Sequence, residues 1–464
     1  MPGKVLIVGL DSAVPDLVFN KWRTNLPCLS ALMKQGLYGP LTSTIPPITV
    51  PAWASMLTSK DPGQLGLYGF RNRKDHSYED LYIANSTHIK ETTLYQLLSR
   101  QRLTSILLGV PQTYPPRPLN GIMISSFLTP GKETQYTYPS EMKSELEKAA
   151  GGEYIFDVDE FRTEDKNGLL DQIRKMTEAR FRAAEYLLTN KNWDFFMMVE
   201  MGVDRIQHGF WRYHDPAHRL YEPGNQYEFV IRDYYKDLDT KIGRLMELAP
   251  DGTLIMVVSD HGARTMVGGF SINQWLIREG YLTLKETPKA TGRLSPSMID
   301  WPRTRIRGEG GYYGRLFFNV AGREPVGQVK PEEYEILRDE IKVRLENEVD
   351  HQNKKMGNRV FKPEEIYRAV RNVPPDLIVY FGDLAWRSVG IVGQNQPLYT
   401  FENDIGPDDA NHAQDGLLIL SVKGERGEVR QGFRSGFQIY DVAPTVLDHL
   451  GLDIPADMIG RVIK

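Results

Sequence analysis

The chain has 464 residues, 41% of them hydrophobic and 25% charged, with a formal net charge of -4. This is ordinary globular composition with length for a large core, and its slight acidity points to neither a nucleic-acid nor an anionic-membrane partner. The single cysteine, Cys28, excludes an internal disulfide and any cysteine-based metal cluster, and fits a reducing compartment. The N-terminus runs directly into a strand without room for a signal peptide, and no apolar run reaches the roughly 20 residues of a membrane span, so a cytoplasmic protein is expected.

In chain order, Val5 to Val8 reads as a buried strand ending in Gly9-Leu10-Asp11. Asp11 stands just past the strand, ahead of a helix expected over Leu17 to Gly36 with a break at Pro27. Next comes Ser43-Thr44-Ile45-Pro46-Pro47-Ile48-Thr49-Val50-Pro51, an extended proline-held loop. Pro51 fits the first turn of a helix, which puts Thr49 at its N-terminus, where backbone N–H groups and the helix dipole favour an anion. A hydroxyl there is either a cap or a nucleophile whose phosphoryl adduct the same N–H groups stabilise. The following loop, Gly66 to Arg73, is rich in glycine and donors; Asn72, Arg71 and Arg73 are candidates for phosphate oxygens.

A helix over Thr93 to Arg100 precedes a strand at Ser105 to Val110. Residues 131–189 are more polar and read as an insertion above the sheet, with a helix over Gln172 to Leu188. Asp194 to Glu200 is the next buried strand, and beyond it Asp204 and His208 share one helix face at i and i+4, a spacing that can grip one divalent metal. His214 and His218 are expected in a loop, outside any ligand set. A helix over Glu228 to Leu248 leads to the strand Thr253 to Val258, which ends in Ser259-Asp260-His261-Gly262. A carboxylate and an imidazole at the carboxyl end of a buried strand stand where open α/β sheets place their chemistry. Residues 286–370 read as a second insertion or cap that shapes a substrate pocket, with a charged helix over Pro331 to Val349. Leu377 to Tyr380 is expected to return to the core sheet, and Asn411-His412 precedes a strand at Leu417 to Val422.

The predicted fold is therefore α/β, a central mostly parallel sheet sandwiched by helices. It forms one domain with its core at about residues 1–130, 190–285 and 371–464. Asp11, Thr49, Asp204, His208, Asp260, His261 and His412 all fall at or near strand ends or in adjoining loops, so one sheet edge can gather them. Three carboxylates and three imidazoles give six oxygen and nitrogen ligands, the number for two zinc ions with open positions; manganese suits the same ligands. Two metals about 4 Å apart stabilise an in-line phosphoryl displacement at both attacking and leaving oxygens.

The set, taken with Gly9-Leu10-Asp11, Ser43 to Trp53, Asp61-Pro62-Gly63, Gly322-Arg323-Glu324-Pro325, Asp415-Gly416 and Asp441 to Leu447, resembles the alkaline phosphatase superfamily. Within it the chain is similar to the type I phosphodiesterase/nucleotide pyrophosphatase branch, and nearest to its predicted phosphohydrolases and phosphomutases. The resemblance implies that Asp11, Asp260, His261 and Thr49 hold one metal, and Asp204, His208 and His412 the other. It further implies that Thr49 is the nucleophile of a phosphothreonine pathway and that Asn72 donates to a non-bridging oxygen. Members often carry Gly-Thr-His where this chain has Asn411-His412, and the sulfatase motif Cys-x-Pro-x-Arg is absent. No arginine corresponds to the one with which alkaline phosphatase itself binds a monoester dianion, which favours diesters. The expected substrate is a small-molecule phosphate ester or nucleotide. A phosphomutase or monoesterase using the same site, and an inactive binding protein on the same fold, are the alternatives.

Overall fold

The computed structural model describes residues 3–424 and 431–464. Its centre is a ten-stranded sheet whose middle five strands, Leu254–Val258, Val5–Leu10, Phe195–Glu200, Ser105–Leu108 and Gly121–Ile124, run parallel in that order. Val5, Leu6, Ile7 and Val8 are wholly buried although successive side chains point to opposite faces, so both faces of the sheet are covered. The covering helices include Pro27–Gln35, Thr49–Thr58, Lys166–Asn190, Val230–Leu248 and Val442–His449. On one side the sheet continues with Asp415–Val422 and Leu37–Thr42, both part of antiparallel pairs. Among the described residues no helix is long and apolar enough to cross a membrane.

Two segments depart from the expected division. Residues 131–189 do not stand above the sheet. Thr137–Tyr138 forms its edge strand beside Gly121–Ile124, and Lys166–Asn190 buries Leu169, Ile173, Met176 and Leu187 in the main core. Its polar residues occupy the outer face of a long amphipathic helix, which lowers the average without removing the apolar stripe. Leu377–Tyr380 joins a separate four-stranded sheet with Ile306–Glu309, Gly314–Phe318 and Arg359–Phe361 rather than the central one. An apolar run specifies burial, not which sheet it enters.

This second sheet anchors a cap with its own core, which includes Phe270, Trp275, Leu316, Ile341, Leu377 and Trp386. The cap is thus wider than residues 286–370. Chain leaves the main body after Gly262–Thr265 and returns at Ala410–Ala413, and these two segments pair antiparallel, Thr265 opposite Ala410 and Ala263 opposite His412. At the cap's base Arg323 grips Asp376 with two hydrogen bonds of 2.7 and 2.9 Å, and Asp376 also accepts from Phe318 N and Tyr334 Oη. Gly322 to Pro325 therefore serves cap assembly.

Candidate metal centre and active site

The sheet register explains why residues so far apart in sequence meet. Gly9 pairs with Val258, and Leu10 with Glu200, so Asp11, Asp260 and Asp204 all follow the carboxyl ends of adjacent parallel strands. Asp204 and His208 lie on the helix Gly202–His214. His412 reaches the same edge from the two-stranded ribbon, where it faces the chain just beyond His261.

The three imidazoles share one arrangement. His261 Nδ1 meets Gly262 O at 3.0 Å, His412 Nδ1 meets Pro47 O at 2.8 Å, and His208 Nδ1 meets Asp408 Oδ1 at 2.7 Å. An Nδ1–H donated outward leaves Nε2 as a lone pair turned inward. His261 Nε2 stands 3.6 Å from Asp11 Oδ1 and 3.3 Å from Asp260 Oδ2. Asp204 Oδ1 lies 3.2 Å from His208 Nε2 and 3.9 Å from His412 Nε2. Two ligand groups result, Asp204–His208–His412 and Asp11–Asp204–His261, each with its ligand atoms within 4.8 Å of one another. Asp204 belongs to both. Asp260 lies beside the second group, its Oδ2 3.3 Å from His261 Nε2.

The carboxylates fit cations. Asp11 Oδ1, Asp204 Oδ1 and Asp260 Oδ2 are buried and lack any hydrogen-bond partner. Burial, then the neighbouring Asp204 charge, pushes Asp11 well above the usual carboxylate range, and burial with the Asp11 charge does the same to Asp260. Burial acts on Asp204 in the same direction, but His208, Arg205 and His412 together outweigh it and hold this carboxyl below the ordinary value. Burial disfavours the His208 imidazolium, yet Asp408 and Asp204 push it up to about 10. Burial holds His261 down at about 4, and burial with the His261 ring lowers His412 well below the ordinary range. Without a cation, the raised His208 and Arg205, 2.5 Å from Asp204 Oδ2, supply part of the positive charge that these carboxylates need; a bound divalent cation would displace the His208 proton and meet oxygen and imidazole-nitrogen donors of the kind that suit zinc or manganese.

Thr49 is the first residue of its helix. Ile48 supplies the extended residue before it, and no side chain caps the helix. The Thr49 hydroxyl is therefore free of the commonest duty of a threonine at that place. It stands 3.4 Å from His261 Nε2. One turn along the same helix, Trp53 Nε1 donates to Asp11 Oδ2 at 2.8 Å and orients that carboxylate. Thr49, Asp204, His208 and His412 open onto a cavity of about 870 Å³, whose other wall comes from the cap and includes Arg307, Tyr312, Arg315 and Arg387.

Asn72 does not take the expected place. Its Oδ1 accepts from Tyr68 N at 2.8 Å and its Nδ2 donates to Gly69 O at 2.9 Å, so the amide staples its own loop and does not line the cavity. An asparagine in a glycine-rich turn satisfies local backbone first. Arg71 lines the cavity, whereas Arg73 turns away to Glu324 and Ser77 O. His214 ends its helix packed on Trp22 and, like His218, joins neither ligand group. Sequence reading missed Trp53, Asp408 and Tyr312. Trp53 alone carried a signal, its i+4 spacing from Thr49.

Comparison with known proteins identifies the family and the fold. A family model described as "Type I phosphodiesterase / nucleotide pyrophosphatase" matches residues 5–408. Solved structures of similar fold include human ectonucleotide pyrophosphatase/phosphodiesterase 5, with a TM-score of 0.55 and 13% identity over 97% of this chain and 96% of that one. Its murine counterpart, as an inactive threonine-to-alanine variant in complex with AMP, gives 0.54 and 13% over 98% and 96%. No curated protein sequence matches the chain. With the match spanning most of the sheet, the cap and all of the candidate ligands but His412, the chain belongs to the type I phosphodiesterase/nucleotide pyrophosphatase family.

Proposed function

We propose that this chain hydrolyses phosphodiester or nucleotide pyrophosphate bonds in two steps, with Thr49 Oγ1 as nucleophile beside two divalent cations. The observation that carries the reading is the Thr49 hydroxyl, free of capping and 3.4 Å from an imidazole that also faces Asp11 and Asp260. Asp11, Asp260 and His261, with Thr49, would hold one cation; Asp204, His208 and His412 would hold the other. Zinc or manganese, when bound, lowers the pKa of a coordinated hydroxyl or water and neutralises charge on the phosphoryl oxygens.

In the first step Thr49 Oγ1 loses its proton to solvent and bonds to phosphorus as the bond to the leaving oxygen breaks. The helix Thr49–Thr58 begins at this residue, so its positive dipole end would face a phosphoryl group carried there. Water then attacks phosphorus, the Thr49–phosphorus bond breaks, and the hydroxyl is restored. Trp53 fixes the Asp11 carboxylate throughout. The AMP bound by the murine relative supports a nucleotide as the substrate class.

Thr49→Ala tests the assignment. Hydrolysis of bis-(nitrophenyl) phosphate should fall on the order of a thousand-fold or more while metal content stays near that of the wild type. Undiminished turnover would overturn the nucleophile. A wild-type protein that turns over the corresponding monoester better than the diester would move the reading to a monoesterase.

A further inference from the structure

Behind His208 lies a closed polar network drawn from three distant parts of the chain. Asp408 Oδ1 accepts from His208 Nδ1 at 2.7 Å, and Asp408 Oδ2 accepts from Arg162 Nε at 3.0 Å and from Tyr312 Oη at 2.9 Å. Arg162 Nη2 donates to Tyr312 Oη at 2.7 Å, which closes the ring. The Asp408 side chain is wholly buried, and each of its oxygens has a partner. Tyr312 belongs to the cap. Its ring stacks on His412 at 4.4 Å and 27°, and on His208 at 5.0 Å and 23°. Asn411 Nδ2, beside His412, donates to the Tyr312 carbonyl at 3.0 Å.

The network bears directly on one half of the centre and reaches the other only through the shared Asp204 and the stacking of His261 on His412 at 3.8 Å. His208 and His412 are the two imidazoles grouped with Asp204, whereas His261 is steadied by the backbone of Gly262. A carboxylate on Nδ1 fixes the tautomer and ring angle of an imidazole and raises the basicity of its other nitrogen. A tyrosine ring lying over two imidazoles at once restrains both from turning. Arg162 keeps the buried Asp408 charge paired, so the carboxylate need not be neutralised.

We propose that Asp408, Tyr312 and Arg162 are positioning residues for the Asp204–His208–His412 half of the metal centre, so that docking of the cap through Tyr312 sets the affinity of that half more than of the other. The inference rests on the two-cation reading above. It makes the cap part of a metal site whose six ligands all come from outside the cap.

The test uses the full chain, with zinc bound in competition against a chelator, stoichiometry measured directly, and the thermal midpoint of each variant recorded in excess chelator. Wild type should bind two ions. Asp408→Asn keeps the shape and one acceptor oxygen but loses the charge, and should weaken one site about 10–100-fold while the other weakens less. Tyr312→Phe keeps both ring contacts and loses the two hydrogen bonds of the hydroxyl, to Asp408 and from Arg162, and should weaken the same site about five- to tenfold. In the cobalt-substituted protein the absorption bands of one ion should change more than those of the other. A purely structural role would lower the thermal midpoint in chelator and leave both affinities at wild-type values. That result, or equal weakening of both sites, would overturn the inference while the two-cation reading stands. A wild-type protein that binds no divalent ion would overturn both.

Discussion

Asp260→Asn should make the metal-free protein more stable and the zinc-loaded protein less so. In wild type, Asp260 Oδ1 accepts from Ser12 N at 3.2 Å, while Oδ2 is buried without a partner, 3.3 Å from His261 Nε2. An asparagine preserves the first bond and turns an N–H toward the lone pair of His261. At a pH where Asp260 is ionised, relief of an unsatisfied buried acceptor and a new hydrogen bond together are worth about 2 kcal/mol. Unfolding entropy near 2.1 cal/mol/K per residue amounts, over 464 residues, to roughly 1 kcal/mol per degree, so the midpoint in chelator should rise by about 2 °C. Zinc at a hundred times its Kd adds about 2.7 kcal/mol per site. Wild type should therefore gain about 5 °C from two sites and the variant about half that, so the order of the two midpoints reverses between chelator and zinc. The pH dependence carries the same signature. A carboxyl raised in the folded state keeps a proton that the unfolded chain releases, so the metal-free wild type loses stability as pH rises above the ordinary carboxylate range, and Asp260→Asn flattens that slope. Differential scanning calorimetry at several pH values in chelator and in zinc reads all of this. A variant less stable than wild type in chelator, with an undiminished zinc response, would refute the reasoning.

Gly9→Ala should act on the site through Trp53, because a Cβ there would stand 2.5 Å from Trp53 Cη2 and 2.9 Å from Val199 Cγ2; a stability loss of about 1–3 kcal/mol with reduced kcat/KM is expected, and a variant neutral in both would remove Trp53 from the account. Asp376→Ala should strip Arg323, Tyr334 and Phe318 N of their common partner and cost about 3–5 kcal/mol, visible as faster proteolysis within the cap. Burial, with Lys21 near one and Arg219 near the other, holds His214 and His218 down at about 4. Between pH 6.5 and 4 the unfolded chain binds protons that the folded one does not, so stability present at pH 7 is lost as pH falls, by up to about 3 kcal/mol per imidazole. Urea midpoints at pH 7 and 5 should show it, and replacing both histidines with asparagine should reduce the difference.

The gathering of these acidic and histidine side chains at one sheet edge was legible because its signals are local and its assembly follows a general rule. Asp11, Asp260 and Asp204 each follow a buried apolar strand, Asp204 and His208 share a helix face, and parallel strands deliver their ends to one edge. His412 reaches that edge by a different route, from a ribbon beside the antiparallel strand Asp415–Val422, which no periodicity announces. Asn72 shows the opposite failure, since its residue type suited phosphate and its own turn claimed both ends of the amide. Arg162, Tyr312 and Asp408 look like scattered surface polar residues in sequence, and only tertiary packing brings them against one imidazole. The apolar run Leu377–Tyr380 predicts a buried strand and forms one, in the other sheet.

The ribbon in which Thr265 faces Ala410 gives the cap a modular character. Its two junctions are neighbours across a ladder, so the 144 residues between them could in principle be exchanged for a tight turn or for another cap without rethreading the central sheet. Such a graft would inherit both histidines of the ribbon, His261 before one strand and His412 within the other. It would arrive without Tyr312 and Asp408, so transplanting specificity between relatives by swapping caps requires that each new cap bring its own support for the imidazoles beneath it.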